Sequence, residues 1–232
     1  MSYKVDIIVS RFNESLEWMN EEPFNNFRYI VYNKGENENL EKKYIKSIIN
    51  LPNVGRCDHT YLFHIVNNFD NLANINVFFP GSLNIEHKKE KAKKILHNIL
   101  KYKKAIFCSN ISVKGIKNEF ENFVLDEWQC SELSNKSLNN ESKLLPALIR
   151  PFGNWFKFHF GDIKVKYYTL NGIFSIQKMD ILKHDINRYK KLLSGVQRHS
   201  NPEVGHFLER SWAAVFHPLL FTKILPEYKY IK

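Results

Sequence analysis

The sequence predicts an α/β fold with a mostly parallel central sheet flanked by helices, in a single domain. Three observations predict it. Short β-branched or aromatic runs recur at Val5–Ser10, Phe27–Tyr32, Asn76–Phe79 and Ala105–Cys108, the mark of strands buried on both faces. Segments of helical period separate them. The 232 residues, 44% of them hydrophobic and 14% aromatic, suffice for one large core. Alternation of this kind puts helices on both faces of parallel strands.

Taken in order, Val5–Ser10 reads as the first strand, with Arg11, Phe12, Asn13 and Glu14 at its carboxyl end. Ser15–Met19 reads as helical. Phe27–Tyr32 is a second strand, closed by the turn Asn33-Lys34-Gly35. A polar loop, Glu36–Asn39, precedes a short helix expected through Tyr44, Ile45, Ile48 and Ile49. Leu51–Leu62 then packs Pro52, Asn53, Gly55, Arg56, Cys57 and Asp58 into a loop. It opens on an apolar stripe of Tyr61, Leu62, Ile65, Val66 and Phe69. Asp58 is the expected N-cap, its carboxylate accepting orphan amides of the first turn. Arg56 and the helix dipole would then face one small volume suited to a phosphate. A plain capped helix with a surface arginine has the same local pattern.

Asn76–Phe79 ends in Pro80-Gly81-Ser82, and His87–Lys104 reads as a basic amphipathic helix with Ala92, Ile95, Leu96 and Ile99 on one side. Ligands of such sheets lie outside the carboxyl ends of the strands. The sets Arg11/Asn13/Glu14, Asn33/Lys34 and Gly81/Ser82 all fall there. That convergence argues for a ligand cleft.

In the second half, Asn110–Lys143 is polar and aperiodic, and residues 131–142 read as a mobile loop. Arg150–Gly161 places five aromatics in twelve residues. It reads as an aromatic loop, either a platform for sugars or bases or ordinary core. Strands near Ile163–Tyr168 and Gly172–Ile176 and a helix through Ile181–Leu193 follow. The last helix is expected from Asn201-Pro202-Glu203, with Pro202 at its first position and Asn201 or Ser200 as cap. Val204, Leu208, Trp212 and Val215 form its apolar stripe. Glu203, His206 and Arg210 share the opposite face, with Glu209 on the flank. An acid and a histidine so spaced suit proton transfer; a solvated face with an ion pair is the alternative.

Composition excludes several classes. The three cysteines, Cys57, Cys108 and Cys130, form no Cys-x-x-Cys pair, which argues for a reducing compartment and against structural zinc. No run of about 18 apolar residues would span a membrane, and the amino terminus does not read as a signal peptide. The expected location is cytoplasmic. The net charge of +10 is concentrated in the lysine-rich helix. Such a helix suits an anionic membrane surface or nucleic acid, though solvated outer faces are commoner; no nucleic-acid motif accompanies it.

Seven segments, Val5–Glu14, Tyr29–Gly35, Asn53–Leu62, Val77–Gly81, Arg150–Gly161, Gly172–Lys178 and Tyr189–Phe216, appear in an order that resembles a poorly characterised family of glycosyltransferase-like domains. That family is related in outline to the nucleotide-sugar-binding GT-A fold. The most specific stretches are Asn53-x-Gly55-Arg56-x-x-His59-Thr60-Tyr61-Leu62 and Gly205-His206-x-x-Glu209-Arg210-x-Trp212. The resemblance implies a nucleotide-binding half (residues 1–108) and an acceptor-side half (residues 109–232) of one domain. It implies transfer of a hexosyl or deoxyhexosyl group from a nucleotide-sugar donor to a glycan or other hydroxyl acceptor, in surface-glycan synthesis. Donor contacts are expected from Arg11, Asn13, Glu14, Asn33, Lys34, Asn53, Gly55, Arg56, His59, Tyr61 and Arg210. Acceptor contacts are expected from Trp155, His159 and His206.

Glu209, ahead of Glu203, is the expected base, and Asp58 joins them as a catalytic candidate. Cys57 stands where the family usually has a glutamate, and Phe79-Pro80-Gly81 replaces a stretch that usually carries an amide. GT-A enzymes commonly hold a metal on Asp-x-Asp, which this sequence lacks. No cofactor is therefore expected to be required, with Mn²⁺ or Mg²⁺ as the alternative. The partners expected are a nucleotide sugar and a glycan, no nucleic acid, and peripheral membrane contact through the lysine-rich helix. Rival readings are a catalytically silent nucleotide-sugar-binding domain and a basic nucleic-acid or membrane-surface module.

Overall fold

Ile7, Ile8 and Val9 are fully buried, and the strand they form, β1 (Val5–Arg11), is the middle of a five-stranded sheet. The computed structural model describes residues 3–36, 42–127 and 143–227. Strand β2 (Tyr29–Asn33) lies parallel on one side of β1, and β3 (Ile45–Asn50) parallel beyond it. On the other side β4 (Ile75–Pro80) is also parallel to β1. A smaller sheet has β5 (Ile106–Ile111) between β6 (Tyr167–Tyr168) and β8 (Lys223–Pro226). Strand β7 (Phe174–Gln177) closes the large sheet against β4, antiparallel.

Both sheets are mixed: in the large one three of the four pairings are parallel and the fourth, β4 with β7, is antiparallel. Asn171 and Gly172, both with positive φ (67° and 62°), turn the chain from β6 of the small sheet into β7 of the large one. The Ser175 hydroxyl of β7 then stitches the sheets together. It donates to the Ile106 carbonyl (2.9 Å) and accepts from the Ile106 amide (2.6 Å).

Alternation along β1 divides the core into two layers. Ile8 faces α1 (Arg56–Asn67), α4 (Phe152–Phe160), α6 (Ile186–Val196) and α7 (Glu203–Val215). Ile7 and Val9 face α2 (Glu86–Tyr102) and the 3₁₀ turns Glu17–Asn20 and Phe24–Asn26. Two short helices, α3 (Ile116–Glu119) and α5 (Lys178–Leu182), complete the chain order. Among the described residues, no helix is long and apolar enough to cross a membrane.

Several elements differ from the sequence reading. Tyr44–Ile49 is not a helix; its isoleucines lie in edge strand β3, whose β-branched residues suit the pleat. Ser15–Met19 yields only the 3₁₀ turn Glu17–Asn20. Arg150–Gly161 is helix α4 rather than a loop, with Phe152, Trp155, Phe156 and Phe160 buried. The expected helix Ile181–Leu193 is divided into α5 and α6, because Asp185 caps α6 by accepting from the Asn187 amide at 2.7 Å. Pro202 is the N-cap of helix α7 rather than its first residue, so neither Asn201 nor Ser200 holds the cap position. The expected loop 131–142 lies outside the described residues.

Helix α2 buries Ala92, Ile95, Leu96 and Ile99 as expected, yet its lysines are not a bare cationic face. Lys88 donates to Ser82 Oγ, and Lys94 to the Pro226 carbonyl. Lys89 pairs with Glu21, and Lys93 with Glu90. Lys91 is buried and donates to Thr169, the Leu170 carbonyl and Glu227.

Asp180, fully buried on α5, accepts from the Leu220, Phe221 and Thr222 amides and pairs with Lys183 at 3.0 Å. Burial alone would raise its pKa, but the bonds from Thr222, Leu220 and Lys183 hold it below the ordinary value. Its stabilisation is therefore present above the unfolded carboxyl pKa and fades as pH falls through the folded one. Asp180→Asn should cost about 2 kcal/mol in urea unfolding at pH 7. The difference from wild type should shrink below about pH 4, near the ordinary aspartate pKa; a pH-independent difference would refute the assignment.

Candidate active site

At the carboxyl edge of the parallel strands, the loops after β1 and β2 brace each other. Arg11, 1% exposed, donates from Nη1 to Asn33 Oδ1 (2.6 Å) and from Nε to the Glu14 carbonyl (2.9 Å). Asn33 donates to the Gly35 carbonyl, and the Glu14 carboxylate accepts from the Phe12 amide. Asn13 packs against Gly35, while Gly81 leaves room for the Glu14 carboxylate. Arg11, Asn33 and Glu14 thus carry loop-building bonds at the place where the sequence put donor contacts.

Lys34 points the same way. Its ammonium is buried and donates to the carbonyls of Val54 (2.6 Å) and Arg56. Burial lowers its pKa to about 8. The segment it holds has two consecutive left-handed residues, Gly55 (φ 60°) and Arg56 (φ 53°). The Gly55 amide donates to the His199 carbonyl at 2.7 Å. A side chain at Gly55 would strike Val196 and His59 as well as strain the backbone.

Helix α1 consequently starts at Arg56 with Gly55 as N-cap, so Asp58 is not the cap. Its side chain turns inward and is 2% exposed. Asp58 Oδ1 accepts from the Trp212 indole at 3.1 Å, and Oδ2 lies 3.9 Å from the Cys57 thiol. Burial raises its pKa to about 7; the Glu209 charge adds to the rise, and Arg56 and Trp212 oppose it. Glu209, whose charge acts on Asp58, is about a quarter exposed. It accepts from the Asn171 amide (2.6 Å) and pairs with Arg210 (3.7 Å). Burial and Asp58 push the Cys57 thiol well up, so it is neutral.

The cations are held as firmly. Arg56 donates to Asn201 Oδ1 at 3.3 Å and lies with Asp58 against Gly205 of α7, where a Cβ would come within 3.3 Å of Arg56 and 3.4 Å of Asp58. Arg210 donates to the His206 carbonyl and stacks over Phe123 at 3.9 Å. Burial lowers the His206 pKa to about 3, with Arg56 and Arg210 adding to it, so the ring is neutral. Asp58 titrates near neutrality under the influence of the Glu209 charge, and Arg56 and Arg210 can meet an anion. Among the described residues no cluster of three or more His, Cys, Asp or Glu is placed to hold a metal.

The structure therefore gathers Arg56, Asp58, His206, Glu209 and Arg210, and places others elsewhere. Glu203 is fully buried; it accepts from the Leu125 and Ala147 amides (both 2.8 Å) and pairs with Arg150 (3.0 Å). It is a clamp between chain segments: its burial corrects the solvated-face alternative, and its bonds to two amides and Arg150 occupy the carboxylate expected as a candidate base. Tyr61 is core, donating to the Gly172 carbonyl at 2.8 Å. His59 is buried beside Phe63, with Nδ1 unpartnered among the described residues, and burial lowers its pKa to about 4. Asn53 lies half-buried on the loop before Gly55. Trp155 packs with Phe152, Phe160 and Phe207, and His159 stacks on it at 4.6 Å. Neither is drawn to the acid pocket by any of these contacts. Sequence reasoning missed Asn171, Asn201 and Trp212 as members of the site. The Asn171-Gly172 dipeptide, a turn signal, marked the first.

The chain belongs to a family described as "Protein of unknown function (DUF3431)", whose model matches residues 7–223. No curated protein matches it.

Two variants separate the clamp from the pocket. Glu203→Gln turns an acceptor into a donor facing backbone amides, and should cost about 3 kcal/mol in urea unfolding; an unchanged midpoint would return Glu203 to the candidate bases. Asp58 has the opposite pH sign to Asp180. Its folded pKa is raised, so wild type loses stability relative to Asp58→Asn as pH rises from about 4 to about 7, then levels off. A flat difference across that range would remove the pocket's perturbed acid.

Proposed function

We propose that this member of the DUF3431 family transfers a glycosyl group from a nucleotide sugar to a hydroxyl acceptor. The observation that carries the reading is the convergence of Arg56 and Arg210 with Asp58 and Glu209 at the carboxyl edge of the parallel strands. Support also comes from the strand order β3-β2-β1-β4. In that order the chain reverses direction beside β1, at the kind of switch point where α/β sheets bind ligands.

In the proposed reaction Glu209 takes the acceptor hydroxyl's proton as the new C–O bond forms. The bond from the anomeric carbon to phosphate breaks, and the nucleoside diphosphate leaves with the electron pair. Arg56 and Arg210 offset the charge that develops on it. Asp58, buried and with a pKa raised to about 7, is the second proton site. Arg11, Asn33 and Lys34 serve as bracing for the donor side. Its work on surface glycans in the cytoplasm belongs to the same proposal.

One observation favours a silent nucleotide-sugar-binding domain instead: Cys57 puts a neutral thiol where the resembled family has an acid. Thermal-shift titration with nucleoside diphosphates and sugar nucleotides, with and without Mn²⁺, followed by assay of diphosphate release, separates the readings. A shift with one nucleotide class plus release supports transfer; a shift without release supports the silent domain. No shift with any nucleotide rejects both. Arg56→Ala should weaken nucleotide affinity about 10- to 100-fold. Glu209→Gln should keep the shift and lower turnover about 100-fold or more; full activity would end its role as base.

A further inference from the structure

The opposite end of the molecule, at the amino ends of the parallel strands, presents apolar tips among lysines. Helix α2 ends there at Tyr102, Lys103 and Lys104 lead into β5, and β8 begins at Lys223. Leu220 is 66% exposed, Met179 52% and Phe221 44%. Tyr102, Lys104, Leu220, Phe221, Thr222 and Lys223 line one shallow depression of about 320 Å³. Lys101 and Lys223 lie over the Tyr102 ring at 5.2 and 3.4 Å, and Lys103 over Tyr3 at 5.2 Å. Among the described residues no acid pairs with Lys101, Lys103, Lys104 or Lys223. The five lysines nearer the start of α2 are bonded within the fold.

We propose that this end docks peripherally on an anionic lipid bilayer, with Leu220, Phe221 and Met179 set among the headgroups and the lysines over their charges. Two features favour this occupant. The cationic rim complements anionic lipid, each lysine near such a surface adding about fivefold to binding. The aliphatic tips of Leu220 and Met179 gain from the headgroup–acyl boundary, whereas a nucleic-acid backbone offers them no apolar cover. Asp180 already holds the amides of Leu220, Phe221 and Thr222, so the tips sit on an ordered loop and little ordering cost attends docking. Docking leaves the carboxyl-edge pocket facing away from the bilayer. The inference stands independently of the transferase reading.

Flotation of the whole chain with vesicles of phosphatidylcholine, alone or with phosphatidylserine, tests it. The expected result is flotation only with phosphatidylserine, reversed by salt at about 0.5 M. Lys101→Glu with Lys104→Glu should cut partition at least about tenfold, and Leu220→Ser with Phe221→Ser should do likewise. Lys157→Glu with Lys190→Glu makes the same charge change on α4 and α6 and should stay within about twofold. Met179→Ser, on another element, should also weaken binding if the Leu220/Phe221 variant melts early. No flotation, equal binding to neutral vesicles, or equal loss in the Lys157/Lys190 control overturns the proposal. So does an oligonucleotide complex that the Lys101/Lys104 variant abolishes while flotation persists.

Discussion

The buried ammonium of Lys34 is the constraint from which the candidate site follows. A charge so enclosed must find oxygen partners, and it takes the carbonyls of Val54 and Arg56. To present both, the chain runs through two left-handed residues, Gly55 and Arg56. Helix α1 therefore opens at Arg56, and Asp58 turns inward to the Trp212 indole rather than capping the helix. The same geometry lays Arg56 and Asp58 along Gly205 of α7. One lysine thus links the end of β2, the entry to α1 and the wall of the pocket.

Electrostatics within the pocket divide by solvent access. Asp58 is shut in, and its charge is disfavoured by burial and by Glu209. Glu209 reaches solvent and is steadied by the Asn171 amide and Arg210. His206 is buried and neutral, with Arg56 and Arg210 both disfavouring its charge, so the positive charge of the site belongs to those two arginines. Two acids of unequal exposure beside fixed cations make a site able to hold an anion and move a proton.

The legible parts of the fold were those whose signal is local. β1, β2, β4 and β5 are buried on both faces, and their apolar runs name them. β3 is a half-exposed edge strand, and its isoleucines matched a helical spacing by accident. Asp58 looked like a cap because cap preference is read one residue at a time, while its true orientation depends on Lys34, more than twenty residues earlier. The burial of Glu203 was not legible because its partners, the amides of Leu125 and Ala147, lie more than fifty residues earlier in the chain. The meeting of Arg11, Asn33 and Lys34 at the carboxyl edge was legible; the division between bracing residues and the acid–arginine cluster was not. That division is set by which side chains the loops need for their own hydrogen bonds.

Charge in this chain follows the same logic. A net +10 and a lysine-rich helix invite the idea of a cationic stripe along α2. Folding removes most of that stripe, since Lys88, Lys89, Lys91, Lys93 and Lys94 find partners inside the molecule. What stays available gathers at the far end of the helix beside Leu220, Phe221 and Met179. The parallel strands thus have chemically different ends: a cluster of acids and arginines at one, a basic and apolar rim at the other. A polymer anion tracking the whole helix would need the lysines that the fold has already engaged, whereas a planar anionic surface needs only the end of it.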